Sequence, residues 1–314
     1  MKKIVLLIII IILIIIYFIF FYFIFLNNSN KNSYNIFKED YMYKKELINI
    51  GYSKDDIKLI SNKISDTDIK KYLLSKKYNN ISTFISSPYF KIENINRYEM
   101  YYTNKANYSI DQIVLYVNIG LDNEFYTNIK EIKDYTSITT LVNKYNKLPD
   151  NVNYDDLVTI EKPYSNDGTK KIRKIVYNNL IQMIEDAKKD NINLFVISGF
   201  RTHQRQNELF NNSLKKNGLN HALIYSAKSG HSEHELGLAV DLVSVLNDFE
   251  YTKEYKWLKQ NSYKYGFIER YPKNKEFITG FAYEPWHYRY LGVEISTKIF
   301  KENITFEEYH AKYL

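Results

Sequence analysis

Gly230-His231-Ser232-Glu233-His234-Glu235-Leu236-Gly237-Leu238-Ala239-Val240-Asp241 carries the spacing S-x-H-x-x-G-x-A-x-D, in Ser232, His234, Gly237, Ala239 and Asp241. The run Leu238 to Val243 predicts a strand, with Ala239, Asp241 and Val243 on one face and Leu238, Val240 and Leu242 on the other. A carboxylate on a face otherwise lined by Ala and Val is costly to bury unless it is paired or metal-bound. Small Ala239 leaves room beside it, and Gly237 lets the backbone turn so that His234 folds back over the strand. An imidazole and a carboxylate brought together are two-thirds of a catalytic zinc site, which typically takes three protein ligands and keeps a fourth position for water. Taken alone, the stretch fits equally well a buried Asp in a hydrogen-bond network beside a surface His.

The tetrapeptide Glu284-Pro285-Trp286-His287 supplies the missing chemistry. His287 is the candidate third ligand. A Glu three residues away reaches a water at the metal without being a ligand, and takes its proton as it attacks a carbonyl. Trp286 offers an apolar wall for a small substrate group, or a core anchor. Pro285 argues against a regular helix or central strand and predicts a bend. Arg201 follows a predicted buried strand and opens a predicted helix, a place from which a guanidinium polarises a scissile carbonyl or grips a carboxylate. Ser232 is placed to donate to a substrate carboxylate or to cap a turn. His203, His221 and His310 lack a carboxylate at a useful spacing and read as surface or structural, and the neighbours of His231 do not repeat the ligand pattern.

The whole chain constrains these candidates. Its 314 residues are 45% hydrophobic, enough for a real core, and 25% charged. The formal charge of +7 comes from lysines interspersed with acids, so a solvated surface is expected and nucleic acid is not. The 31 tyrosines are spread along the chain beside abundant Ile, Lys and Asn, which is a compositional bias and not a motif. There are no cysteines, which excludes disulfides, thiolate metal sites and a thiol nucleophile, so any metal must be held by His and carboxylate.

Lys2 and Lys3 precede an apolar run from Ile4 to Leu26, long enough to span a hydrocarbon core as a helix. No small-residue cleavage site follows it, so residues 1–26 are expected to be an uncleaved single-pass anchor with everything beyond Leu26 outside the cytoplasm. Asn27 to Lys38 reads as a tether. Ser53-Lys54-Asp55-Asp56 has capping-box geometry with Ile57, Ile60 and Ile64 behind it, and Thr67-Asp68 opens a second expected helix bearing Ile69, Tyr72 and Leu73. Tyr98 to Tyr126, rich in aromatic and β-branched residues, predicts strand, including Ile113 to Val117. Residues 27–136 are therefore expected to be a tether and a small α+β accessory region, and residues 137–314 the catalytic domain. Lys170 to Lys189 predicts a helix burying Ile172, Ile175, Leu180, Met183 and Ala187. Leu194 to Ile197 predicts a buried strand ending at Ser198-Gly199, and a helix follows from about His203 to Leu214, stopped by Asn217-Gly218. This order of elements points to an α+β layer domain.

At these residues the chain resembles the VanY/VanX-type zinc D-alanyl-D-alanine carboxypeptidase family, over roughly Leu141 to Leu291. Three ordered motifs carry the resemblance: S-G-[FY]-R-[ST]-x-x-x-Q from Ser198 to Gln206, S-x-H-x-x-G-x-A-x-D, and E-P-W-H. The resemblance implies a hedgehog-like fold of mixed helix and antiparallel sheet, with zinc on His234, Asp241 and His287. It makes Glu284 the general base and Arg201 the residue that stabilises the oxyanion, with Gln206 and Ser232 lining the substrate site. It also implies a peptidoglycan stem peptide as substrate, losing its terminal D-Ala, with L,D-cleavage of tetrapeptide stems, endopeptidase cleavage or catalytically silent wall binding as the alternatives. The chain departs from the pattern at Lys228-Ser229, where relatives often carry Arg-Pro ahead of Gly230.

Overall fold

The computed structural model describes Tyr22, residues 42–105 and residues 107–314. Apart from Tyr22, the expected anchor and tether lie outside these residues. Among the described residues no helix is long and apolar enough to cross a membrane. The chain divides into two compact units after Val114.

The described residues of the first unit hold helices only, and within the expected α+β accessory region, residues 27–136, the one described strand is Lys130–Glu131. Helix α1 (Lys54–Lys63) begins where the capping box predicts it: Ser53 Oγ accepts the Asp56 N–H at 3.1 Å and the Asp56 carboxylate accepts the Ser53 N–H at 3.1 Å. The next turn is capped by Ser65, not opened at Thr67, and runs on through Ile69–Leu73 with Ile69 and Leu73 buried. Helices α2 (Ile81–Ile85), α3 (Ile95–Asn104) and α4 (Ile110–Ile119) follow. The last two replace the strand expected from Tyr98 onward. Ile113 to Val117 are all buried, and a short apolar run buried on every side is equally at home in a helix. The deciding signal is local. Ser109 and Gln112 form a reciprocal cap, with the Ser109 N–H donating to Gln112 Oε1 at 2.9 Å and the Gln112 N–H to Ser109 Oγ at 3.3 Å.

The second unit starts at Leu115, upstream of the boundary near residue 137. Residues between the two are held by pairing and packing: strand β1 (Lys130–Glu131) lies parallel to β2 (Asn146–Lys147), and the Tyr145 hydroxyl donates to the Asn123 carbonyl at 2.9 Å. An antiparallel hairpin of β3 (Leu157–Ile160) and β4 (Lys170–Arg173) comes next. Helix α5 therefore spans Lys174–Lys189 and does not begin at Lys170. Its buried face is Val176, Leu180, Met183, Ile184 and Ala187, while Ile172 is buried from the hairpin and Ile175 is exposed. The β3 edge offers Lys170–Arg173 a ladder, and that pairing outweighs their helical spacing.

The site-bearing sheet has four strands, β5 (Val196–Ser198), β6 (Ala239–Leu242), β7 (Phe267–Tyr271) and β8 (Glu284–Tyr290), in the order β5-β6-β8-β7, all antiparallel. Its two faces have different chemistry, as a period of two requires. Leu238, Val240, Leu242, Phe267, Tyr288 and Tyr290 join the buried face of α5 in the main core, where each large apolar side chain contributes roughly 1.5–3 kcal/mol. The register sets Asp241 opposite His287 and Ala239 opposite Arg289, which brings the polar residues together on the other face. Toward β7 this face meets a second core of Ile268, Leu291, Ile299, Phe306 and Tyr309, formed with the terminal helices α9 (Val293–Glu302) and α10 (Phe306–Tyr313). The mixed α+β architecture agrees with the reading of the sequence.

Pro285 does not bend the chain out of the sheet: it lies within β8, an inner strand. The pairing of β6 with β8 ends at Asp241–His287, and the β7 side has an irregular register between Glu269 and Tyr271. Pro285 thus falls past the end of the β6 pairing and inside the irregular stretch of the β7 pairing, which resumes at Tyr271–Glu284, so the sheet accommodates a residue without an N–H.

Candidate active site

His234 sits in a single tight turn, Glu233–Leu236, that ends at Gly237 with φ 64°. Any Cβ at Gly237 would press on Arg173 Cγ at 2.9 Å, so both the left-handed backbone and the close approach call for glycine. The turn folds His234 over β6, so that its Nε2 lies 3.2 Å from Asp241 Oδ2. From the neighbouring strand, His287 Nδ1 lies 3.1 Å from Asp241 Oδ1. One donor atom from each of His234, Asp241 and His287 falls within 4.8 Å of the others, and all three residues are buried.

These residues fit a metal ion. Two imidazole nitrogens and one carboxylate, with no sulfur, form the N/O set that a catalytic zinc site uses. The other nitrogen of His234, Nδ1, faces the Gly199 carbonyl at 2.8 Å, so it carries the proton and leaves Nε2 free to ligate. Burial, reinforced by the nearby Arg201 charge, lowers the His234 pKa to about 4 and keeps the ring neutral. Burial opposes protonation of His287 too, but Asp241 and Glu233 outweigh it and hold its pKa up at about 9. A metal ion held there would displace that proton. Asp241 stays ionised because its imidazole and Arg201 partners outweigh the cost of burial.

Glu284 lies at the start of β8, its Oε2 3.8 Å from His287 Nδ1, and burial pushes its carboxyl up to about 7. A carboxylate poised near neutrality beside the metal position is suited to taking up a proton. Arg201 follows the end of β5, whose register against β6 shifts between Val196 and Ser198. Its Nη2 donates to Ser198 Oγ at 2.8 Å and to Asp241 Oδ2 at 2.9 Å, and its Nη1 to Gln206 Oε1 at 3.4 Å. Thr202 caps helix α6 (His203–Asn217) immediately after it.

A cavity of about 320 Å³ opens over these groups, lined also by Gln206, Ser232 and Trp286. The expected substrate-site residues have second duties there. Gln206 is buried and donates to the Ala227 carbonyl at 2.8 Å. Ser232 Oγ accepts the His234 N–H at 3.4 Å as the cap of its turn. Trp286 lines the cavity and packs against the main core. His221, exposed as expected and stacked on Tyr225 in helix α7 (Leu219–Tyr225), also lines the cavity. His203 has a carboxylate partner after all: its Nδ1 lies 3.1 Å from Glu235 Oε2. His231 faces the Asn143 carbonyl at 2.8 Å, outside the donor group. At the rim, Lys228 Nζ lies 4.4 Å from the Tyr126 ring centroid and Ser229 Oγ donates to the His203 carbonyl at 2.7 Å.

A family model described as VanY, D-alanyl-D-alanine carboxypeptidase, matches residues 169–293. A putative carboxypeptidase, YodJ of Bacillus subtilis, is 38% identical over 62% of this chain and 76% of its own length. The chain belongs to the VanY family of D-alanyl-D-alanine carboxypeptidases. A D-alanyl-D-alanine carboxypeptidase of Enterococcus faecalis is 39% identical over 54% of the chain and 64% of its own length. Among solved structures, the LdcB LD-carboxypeptidase superposes with a TM-score of 0.56 at 38% identity, covering 59% of this chain and 91% of LdcB. VanYB, solved in complex with D-alanine-D-alanine, superposes with a TM-score of 0.50 at 33% identity, covering 58% of this chain and 100% of VanYB.

One part of this VanY-family site was not read from the sequence. Beneath His287, Glu233 Oε1 accepts from Arg270 Nε at 2.7 Å and Arg289 Nη1 at 2.9 Å. Arg270 also forms a bidentate pair with Glu307, at 2.9 and 2.6 Å. All four side chains are buried. Burial alone would raise the Glu233 pKa, but the two guanidiniums hold it well below the ordinary range. The only local signal was Arg270 itself, in phase with apolar Ile268 along β7.

Proposed function

We propose that the chain is a zinc-dependent D,D-carboxypeptidase that removes the terminal D-Ala from peptidoglycan stem peptides. The observation that carries this reading is the convergence of His234, Asp241 and His287 within 4.8 Å, with the Glu284 carboxylate 3.8 Å from His287. His234 Nε2, an Asp241 oxygen and His287 Nδ1 would hold the ion. When bound, zinc supplies a Lewis acid that acidifies water and polarises a carbonyl. Glu284 takes the proton of the attacking water and returns it to the departing D-Ala amine. Arg201, steadied by Ser198 and Gln206, donates to the oxyanion that develops on the scissile carbonyl. Trp286 forms the apolar wall against a small side chain, and Ser232 is within the cavity to meet the substrate carboxylate.

The site-bearing unit is proposed to work outside the cytoplasm of a bacterial cell, tethered by the apolar run Ile4–Leu26, with Lys2 and Lys3 on the inner side. That places it beside its polymeric substrate. Membrane fractionation with alkaline washing tests the anchor: the full chain should stay with the membrane, and its release into the wash would overturn this part.

L,D-cleavage of tetrapeptide stems is the second reading, favoured by the likeness to LdcB, an LD-carboxypeptidase. Defined pentapeptide and tetrapeptide stems, incubated with zinc-loaded protein and assayed for free D-Ala, decide between them. Release from the pentapeptide alone supports D,D-activity, and release from the tetrapeptide alone supports the second reading. A protein that binds zinc and cleaves neither overturns both carboxypeptidase readings.

A further inference from the structure

Two buried polar atoms beside the donor group have no hydrogen-bond partner: His287 Nε2 and Glu233 Oε2. They face one another at 3.6 Å. That is too long for a hydrogen bond, yet bringing the pair together would satisfy both groups at once. The His287 ring has its other nitrogen, Nδ1, on the Asp241 side. If Nδ1 ligates, the ring proton must sit on Nε2, pointing at Glu233.

Glu233 is not free to swing away. Its Oε1 is held by both Arg270 and Arg289, and Arg289 is itself fixed through Nη2 by the carbonyls of Ile138 and Thr140 at 2.8 and 2.9 Å. Glu307 fixes Arg270 from the terminal helix α10. The frame therefore keeps one carboxylate oxygen occupied and presents the other to His287. The two histidines differ in this respect: His234 is backed by the Gly199 carbonyl, His287 by a carboxylate. A carboxylate behind a ligating imidazole fixes its tautomer and orientation and raises its basicity as a donor.

We propose that Glu233 is a positioning residue for the metal centre, accepting the Nε2–H of His287 through Oε2 and so leaving Nδ1 to the ion. The inference rests on the zinc reading above and adds a residue to it. The rival is that Glu233 only neutralises two buried arginines.

The test combines zinc affinity with imidazole NMR on the full chain. In zinc-loaded wild type, nitrogen-15 spectra should place the His287 proton on Nε2, slow to exchange and shifted downfield by the carboxylate. Glu233→Gln should raise the zinc Kd, read by competition with a chromophoric chelator, by about 10–100-fold and move that proton resonance upfield. Glu307→Gln disturbs Arg270, one of the two arginines on Glu233, without facing His287, so it should lower the melting temperature while leaving the zinc Kd within about threefold of wild type, well short of that loss. An unchanged Kd in folded Glu233→Gln would overturn the proposal, as would equal losses in both variants. Should Glu233→Gln not fold, the wild-type spectrum still decides, because a His287 proton on Nδ1 or in fast exchange also overturns it. A wild-type protein that takes up no zinc would overturn the underlying site reading, and this inference with it, an outcome distinct from zinc binding that ignores Glu233.

Discussion

Glu284 and Gly199 act on the site in opposite ways, one through its charge and one through its lack of a side chain. Glu284 faces the cavity and contributes no atom to the donor group. Glu284→Gln keeps its shape and removes the proton acceptor, so bound zinc, measured by elemental analysis, should stay at the wild-type level. D-Ala release should fall roughly 10²–10⁴-fold, the usual worth of a general base. Loss of zinc in this variant would mean that Glu284 is a ligand and not a base. Gly199 makes a contact that only glycine allows: an added Cβ would land on the Lys171 carbonyl. The same residue's carbonyl holds His234 Nδ1 at 2.8 Å. Gly199→Ala should therefore move the support of a ligand and weaken zinc binding by about 10–100-fold in a chelator competition. Unchanged affinity there would mean that the Gly199 carbonyl does not orient the ring.

At the scale of elements, the sheet places the site on one face and anchors it by the other. Helix α5 buries Leu180 completely against the core. Leu180→Ala should cost about 2–5 kcal/mol in urea unfolding, while the turnover of the folded fraction stays the same. A change in turnover would show that the core reaches the chemistry through the strands. Elements whose cause is local were legible in the sequence. The cap at Ser53, the α6 stop at Gly218 and the two-faced run Leu238 to Leu242 all depend on near neighbours. The elements that differ from their local pattern depend on partners far along the chain. Lys170–Arg173 became a strand because β3 lies beside it, and Pro285 was tolerated in β8 because β6 pairing stops short of it. Ile113 to Val117 differs for another reason: its apolar content suits strand and helix alike, and the Ser109–Gln112 cap decides for helix.

Over the whole molecule, the candidate ligands were legible because their types and spacing are themselves a chemical constraint. The charges beneath them were not, since Glu233, Arg270, Arg289 and Glu307 meet only through the fold. Zinc should bind the folded chain alone, so it should stabilise it in proportion to the logarithm of its concentration. With free zinc about a thousandfold above its Kd, the gain is about 4 kcal/mol. Calorimetry should show the melting temperature falling on chelation, with D-Ala release lost, and both returning when zinc is restored. A melting temperature indifferent to chelation would mean that the donor group holds no ion. The rung Asp241–His287 joins residues 46 positions apart in the chain. A one-residue slip of β8 would turn His287 to the opposite face and leave the ion two ligands. Bound zinc would therefore proofread strand pairing: it would reward only the alignment that the chemistry needs, and a mispaired chain would betray itself by failing to take up metal.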